Sequence, residues 1–341
     1  MKKKFVADLN VGDLVADVFL VVGKSLHKYQ KANTGGEGEF LRLVLGDNSG
    51  TINAVMWEGA GAAYRSCETS PLVRITGRVT TYREQPQVTV EGLTAVNKQK
   101  VNLADFQRAS ERDRREMVEE IQELARELNN PFLRELIFSF IQDRQFLVAF
   151  ADAPAAKAIH HAYVGGLLEH TLETVAICLE IFTLYPRYLN RDLLVAGAIL
   201  HDIGKIKEYD AHALNFEITD SGKLFGHIVL GHQMVKENMD KIDGFPPDLA
   251  VELLHMILSH HGQRSWGSPE PPKTMNAFAL HHADYLGAQL NYFQGLMEKN
   301  MGRGTNWTPM DYKLERSVFL GFLPEGAPMP PADNTSGYVK G

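Results

Sequence analysis

The chain has 341 residues, 44% of them hydrophobic and 23% charged, with a net charge of −7. That is the composition of a globular protein with enough apolar material for two cores. No apolar run approaches the roughly 18 residues of a membrane span. Cys67 and Cys178, far apart in sequence, argue against a disulfide scaffold and a thiolate metal site.

The basic start is interrupted by Asp8, Asp13 and Asp17, where a signal peptide would need an apolar core, so a cytoplasmic location is expected. Residues 1–100 carry 13 Lys and Arg against 10 Asp and Glu, while the remainder is acidic. Polyanion binding, if any, is expected to begin in this first segment.

Residues 11–96 read as β structure. Val15–Tyr29 is a long valine-rich run. From Glu39 to Leu45 the chain alternates, with Leu41, Leu43 and Leu45 on one face and Phe40, Arg42 and Val44 on the other. A turn cluster at 46–50 precedes a strand over Thr51–Trp57, and Val73–Tyr82 pairs with Gln87–Val96. A short helix is expected between Gly59 and Cys67. Five short strands in under 100 residues predict a small closed barrel, best matched by the OB-fold.

From Ala104 the period becomes 3.6. Met117, Ile121, Leu124 and Leu128 form a helical stripe, and Ser110 with Asp113 has capping-box spacing. A helical linker is expected over 101–150, a helical domain over 151–315, and a disordered Pro- and Gly-rich tail over 316–341. The fold class is therefore multidomain: an all-β barrel followed by an all-α domain.

The chemistry lies in the helices. His170, His201-Asp202, His227, His260-His261 and Asp284 occupy five segments, and nine of the 13 histidines fall in or beside them. Leu193–Leu200 is apolar or small all round, so the helix leading into His201-Asp202 is buried. A buried aspartate without a partner costs several kcal/mol or loses its charge. A cation compensates directly. His170 aligns with Leu167, Ile177 and Ile181, and Asp284 with Ala277, Leu280 and Ala288, both apolar settings. Periodicity does not choose between His260 and His261. Imidazole with carboxylate suits Mn, Fe, Co, Ni or Zn better than Ca.

The order His, His-Asp, His-x-x-x-Gly, His-His, Asp on successive helices over about 150–295 resembles the HD-domain phosphohydrolase superfamily. With an OB-type barrel before it, and the phrases GGLLEHTLE, HDIGK, GHIVLGH and SHHG, the chain is similar to the YhaM-type 3′→5′ exoribonucleases of bacteria. The resemblance implies two divalent ions, manganese foremost, with iron, cobalt, nickel, zinc or magnesium as the other candidates. It implies that His170, His201, Asp202 and Asp284 hold one ion, and that His227 and His260 hold a second with Asp202 bridging. Asp202, Lys205 and His201 would carry catalysis. Ile228 stands where the superfamily has proline, which leaves His227 and His232 both open. His161, His232, His261 and His281 are candidates for further ligands or substrate contacts.

Single-stranded RNA or DNA is the implied partner, gripped by Phe40 and Arg42, with Trp57, Tyr82 and Arg83 as further candidates. Self-association is also open. Two competing readings are a nucleotide phosphohydrolase or cyclic-nucleotide phosphodiesterase, and a non-catalytic nucleic-acid-binding protein.

Overall fold

The computed structural model describes residues 2–30, 37–83, 85–156, 163–210, 214, 216–301 and 305–321. Residues 1–108 with 297–341 form one compact unit and residues 109–296 another.

In the first unit, β1 (Leu14–Gln30), β2 (Glu37–Asp47), β3 (Gly50–Met56), β4 (Leu72–Tyr82) and β5 (Gln85–Ala95) close a barrel in the order β1-β2-β3-β5-β4. Helix α1 (Ala60–Thr69) connects β3 to β4. The β3–β5 pair is parallel and the other pairs are antiparallel. This is the OB-fold arrangement. β1 serves both sides of the closure. Leu14–Leu20 pairs with β4 and Leu20–Gln30 with β2, and a bulge at Val21–Gly23 bends the strand between them.

The alternation in β2 follows the wall of the barrel. Leu41, Leu43 and Leu45 are buried with Phe19, Ile75 and Val88, whereas Arg42 is exposed. Each such buried side chain contributes about 1.5–3 kcal/mol.

Residues 316–321, the start of the expected tail, make tertiary contacts. Trp307 pairs with Phe319 and Asp311 with Arg316, and Val318 and Leu320 are buried. Asp311 accepts from the backbone N–H groups of Lys313 and Leu314, which closes the turn. Alternating apolar residues thus tie down a stretch whose Pro- and Gly-rich neighbour suggested otherwise. Residues 322–341 lie outside the described residues.

In the second unit the described residues form α2 (Arg114–Arg126), α3 (Pro131–Ile141), α4 (Arg144–Asp152), α5 (Gly166–Leu184), α6 (Arg191–Leu200), α7 (Lys205–Glu208), α8 (Asp220–Met239), α9 (Pro247–Ser259) and most of α10 (Met275–Asn300). Asp113 itself, rather than Ser110, caps α2 by accepting from the N–H groups of Arg115 and Glu116. Asn130 and Asp143 cap α3 and α4 in the same way. These three helices share one apolar core with α5, α6 and α9. Residues 109–152 therefore belong to the helical unit, and 101–108 to the barrel unit.

Every residue of α6 from Asp192 to Leu200 is buried. The chain therefore reaches His201-Asp202 deep in the interior. No helix among the described residues is long and apolar enough to cross a membrane.

Candidate metal centre

α6 ends on His201 and α9 on His260. The last carbonyls of a helix lack an intrahelical N–H partner, and each imidazole supplies one. His201 Nδ1–H donates to Ala198 O, and His260 Nδ1–H donates to Ile257 O, both at 2.7 Å. A neutral imidazole carries a single ring proton. With Nδ1 holding it, Nε2 of each ring turns a lone pair to the interior.

His227 is oriented by a carboxylate instead. Its Nδ1–H lies 3.1 Å from Glu208 Oε2, and its backbone N–H donates to Glu208 Oε1 at 3.1 Å. Its Nε2 is also left with a lone pair.

These lone pairs meet at Asp202. Its Oδ1 lies 3.4 Å from His227 Nε2 and 3.5 Å from His260 Nε2. All three atoms are acceptors, all are buried, and none has a hydrogen-bond partner among the described residues. Unpaired acceptors held together in a low dielectric are costly, and a cation between them removes the cost. Ligand atoms about 2.1 Å from a shared ion stand roughly 3.0–3.4 Å apart, so the observed spacing fits a divalent metal.

The other carboxylate oxygen faces a second set. Asp202 Oδ2 is 3.5 Å from His170 Nε2 and 3.4 Å from His201 Nε2, and it accepts from Lys205 Nζ. His170 Nε2 is 3.1 Å from Asp284 Oδ1. Potential ligand atoms thus gather in two groups, His170–His201–Asp284 and His227–His260–His261. One oxygen of Asp202 is turned to each.

Charge is distributed to match. Burial would raise the Asp202 carboxyl, but Lys205 and His201 hold it well below the usual carboxylate range. Burial likewise opposes ionisation of Asp284, yet the hydrogen bond to His170 and the neighbouring imidazoles keep it depressed. Burial lowers the His170 and His260 pKa values. His261 falls to about 4 through burial and the charge of His260. In His201 burial is outweighed by Asp202 and Asp284, and its pKa is raised. Cys178 is inert, its thiol pushed up to about 12 by burial.

Two glycines make this placement possible. A Cβ on Gly204 would sit 2.0 Å from His227 O and 2.5 Å from Gly231 N. The turn after Asp202 and the helix carrying His227 therefore touch backbone to backbone, which accounts for the glycines of the HDIGK and His-x-x-x-Gly segments. Gly226 interrupts α8 at φ 70°, ψ 159°, a conformation open essentially only to glycine. The helix restarts at His227, whose N–H is taken by Glu208.

The remaining candidates are placed as follows. His232 is half-buried on α8, five residues and roughly 140° around the helix from His227, and it belongs to neither ligand group among the described residues. His261 lies in the second group, its Nδ1–H donating to Trp266 O at 2.9 Å. His281 is buried, and its Nδ1–H donates to His260 O at 2.7 Å. His161 lies outside the described residues. Nothing in the spacing marked Glu208, because its role arises only where α7 meets α8.

In the barrel unit, His27, Phe40 and Trp57 form a ladder of rings across β1, β2 and the end of β3. Phe40 stacks on Trp57 at 4.8 Å and on His27 at 5.2 Å. Tyr29 packs edge-on to Trp57, and the Arg42 guanidinium lies 5.5 Å from the Phe40 ring centre. Trp57 is 49% exposed. His27 and Tyr29 were legible only as the period-2 continuation of β1 opposite Phe40. Tyr82 and Arg83 form a separate pair at the β4–β5 turn, with the guanidinium 5.4 Å from the ring centre.

Fold and ligand set together define a helical domain of the imidazole–carboxylate metal-site type, joined in one chain to an OB barrel. Residues 167–289 match the family described as HD domain. Among solved structures, the chain is similar to the second OB-fold domain of replication protein A from Methanococcus maripaludis, at 18% identity. That match covers 29% of this chain and 97% of that one, with a TM-score of 0.24. A putative aspartyl-tRNA synthetase from Leishmania major Friedlin matches at 10% identity over 38% of this chain and 30% of that one, with a TM-score of 0.17.

Proposed function

We propose that the protein is a metal-dependent 3′→5′ exoribonuclease that hydrolyses phosphodiester bonds of single-stranded RNA, and of single-stranded DNA as a secondary substrate, to nucleoside monophosphates. The observation that carries the hydrolytic part is Asp202, whose two oxygens face two separate sets of imidazoles, while its Oδ1 and the Nε2 atoms of His227 and His260 lack hydrogen-bond partners among the described residues. The polymer rests on the sequence resemblance and on the ring ladder of the barrel, and the direction of digestion and the product on the resemblance alone.

In this reading His170, His201, Asp202 and Asp284 would hold one divalent ion, and His227 and His260, together with Asp202, would hold a second. Manganese is the first choice. When bound, such ions would offset charge on the phosphoryl oxygens and bring the pKa of a water toward neutrality.

The chain's own groups prepare for that. His201, His227 and His260 are locked in the tautomer that exposes Nε2. Lys205, buried against Asp202, places a positive charge where a phosphate would enter. The barrel, taken as residues 1–100, binds the strand through Phe40, Arg42 and Trp57, with Tyr82 and Arg83 as an outlying contact.

The test is digestion of a 5′-labelled single-stranded RNA with Mn²⁺, with and without chelator. A ladder shortening stepwise from the 3′ end, abolished by chelation, is expected. Cleavage of free nucleotides alone would indicate a small-molecule phosphohydrolase, and binding without cleavage a non-catalytic protein.

A further inference from the structure

Beside the ligand cluster, Trp266 and Tyr285 stack with ring centres 5.4 Å apart and planes 10° from parallel. Even so, they remain 46% and 42% exposed. Two hydrogen bonds tie this pair to the ligand residues. The Trp266 carbonyl accepts from His261 Nδ1 at 2.9 Å. On α10, one turn before Tyr285, His281 donates from Nδ1 to the His260 carbonyl at 2.7 Å. The His281 ring in turn lies 6.3 Å from Trp266 and 6.2 Å from Tyr285. Tyr285 also directly follows Asp284 in the chain.

A flat, partly exposed aromatic surface joined by hydrogen bonds to the His261 ring and the His260 carbonyl suits a flat π-system whose attached phosphate must come to the metals. Bases meet this requirement whatever their sequence, because each has a π-face.

We infer that Trp266 and Tyr285 form a stacking subsite for an unpaired nucleobase of the strand being cut. This subsite rests on the phosphodiesterase reading and is distinct from the ring ladder of the barrel. Stacking on an existing, pre-ordered pair loses less side-chain freedom than recruiting two separate rings.

The chain has 3 tryptophans, so Trp57→Phe with Trp307→Phe leaves Trp266 as the sole reporter. This full-length protein is titrated, in chelator, with a dye-labelled oligoadenylate while dye anisotropy and tryptophan emission are followed together. The expected result is saturable quenching of Trp266 that tracks the anisotropy, with no quenching by an abasic oligomer of the same length. Tyr285→Ala in the same background is expected to shift the quenching midpoint by roughly tenfold. Anisotropy change without quenching overturns the subsite and leaves the nuclease reading standing. No anisotropy change with any single strand, in the parent protein as well as in this background, overturns both.

Discussion

Glu208 holds His227 twice, once through the backbone N–H and once through Nδ1–H. The first contact caps the helix that restarts after Gly226, and the second fixes the ring's tautomer. A carboxylate behind a ligating histidine raises its basicity and aims its free nitrogen, and loss of such a partner typically costs 10–100-fold in metal affinity. Glu208→Ala should therefore weaken binding of one of the two ions by about that factor. Calorimetric titration with Mn²⁺ would show one weak and one tight site. Two unaltered sites would contradict the arrangement.

Asp202→Asn removes the charge at the meeting point of both imidazole groups while keeping its shape. Both ions should be lost, and RNA hydrolysis should fall by more than the 10–100-fold typical of outer partners. Metal content by elemental analysis of the folded variant checks this. Retention of a full complement of metal would refute the bridging role.

Gly204→Ala introduces a methyl into a gap that does not exist, against His227 O and Gly231 N. The expected loss of stability is about 1–3 kcal/mol. The displacement should be directional: the His227–His260 group should lose its ion while the His170–His201–Asp284 group keeps one. Unchanged melting and a metal stoichiometry equal to the parent's would count against it.

The chelated protein should lose stability as pH falls. Burial depresses the folded pKa of His170, His260 and His261, the last to about 4. Below the ordinary histidine value near 6.5 the unfolded chain therefore binds more protons than the native one, so stability is full above that value and declines beneath it. Asp202 and Asp284, both depressed, add a loss of the same sign below about pH 4. His201, raised, works the other way and is outnumbered. The melting temperature in chelator should drop from pH 7 to pH 4.5, and a rise over that interval would be incompatible with these assignments.

On the barrel, Phe40→Ala and Trp57→Ala should each weaken single-stranded RNA binding by about 1–3 kcal/mol, with little dependence on base identity. Filter binding to homopolymers of different bases is the measurement. Tyr82→Ala should have a smaller effect, since that ring stands outside the ladder.

Much of this was readable in advance where one residue's neighbours in the chain decide its surroundings. Alternation at Leu41, Leu43 and Leu45 places Phe40 and Arg42 on the other face, and an all-apolar Leu193–Leu200 forces Asp202 inward. What periodicity could not resolve depends on chain breaks and inter-helix contacts. His260 and His261 both reach the ligand cluster because α9 ends at His260, so the helical step no longer separates them. Glu208, His27 and Trp266 become meaningful only through partners far away in sequence.

The break at Gly226 has an effect on what can vary around it. Because the backbone there leaves the helical path and begins anew, the azimuth of His227 is not inherited from Asp220–Phe225. Insertions or rewinding in that first turn can be absorbed without rotating the imidazole, whereas a single added residue between His227 and Gly231 would swing the ring away from Asp202 or pull Gly231 off Gly204. Length variation among related chains should accordingly be tolerated before this glycine and forbidden just after it.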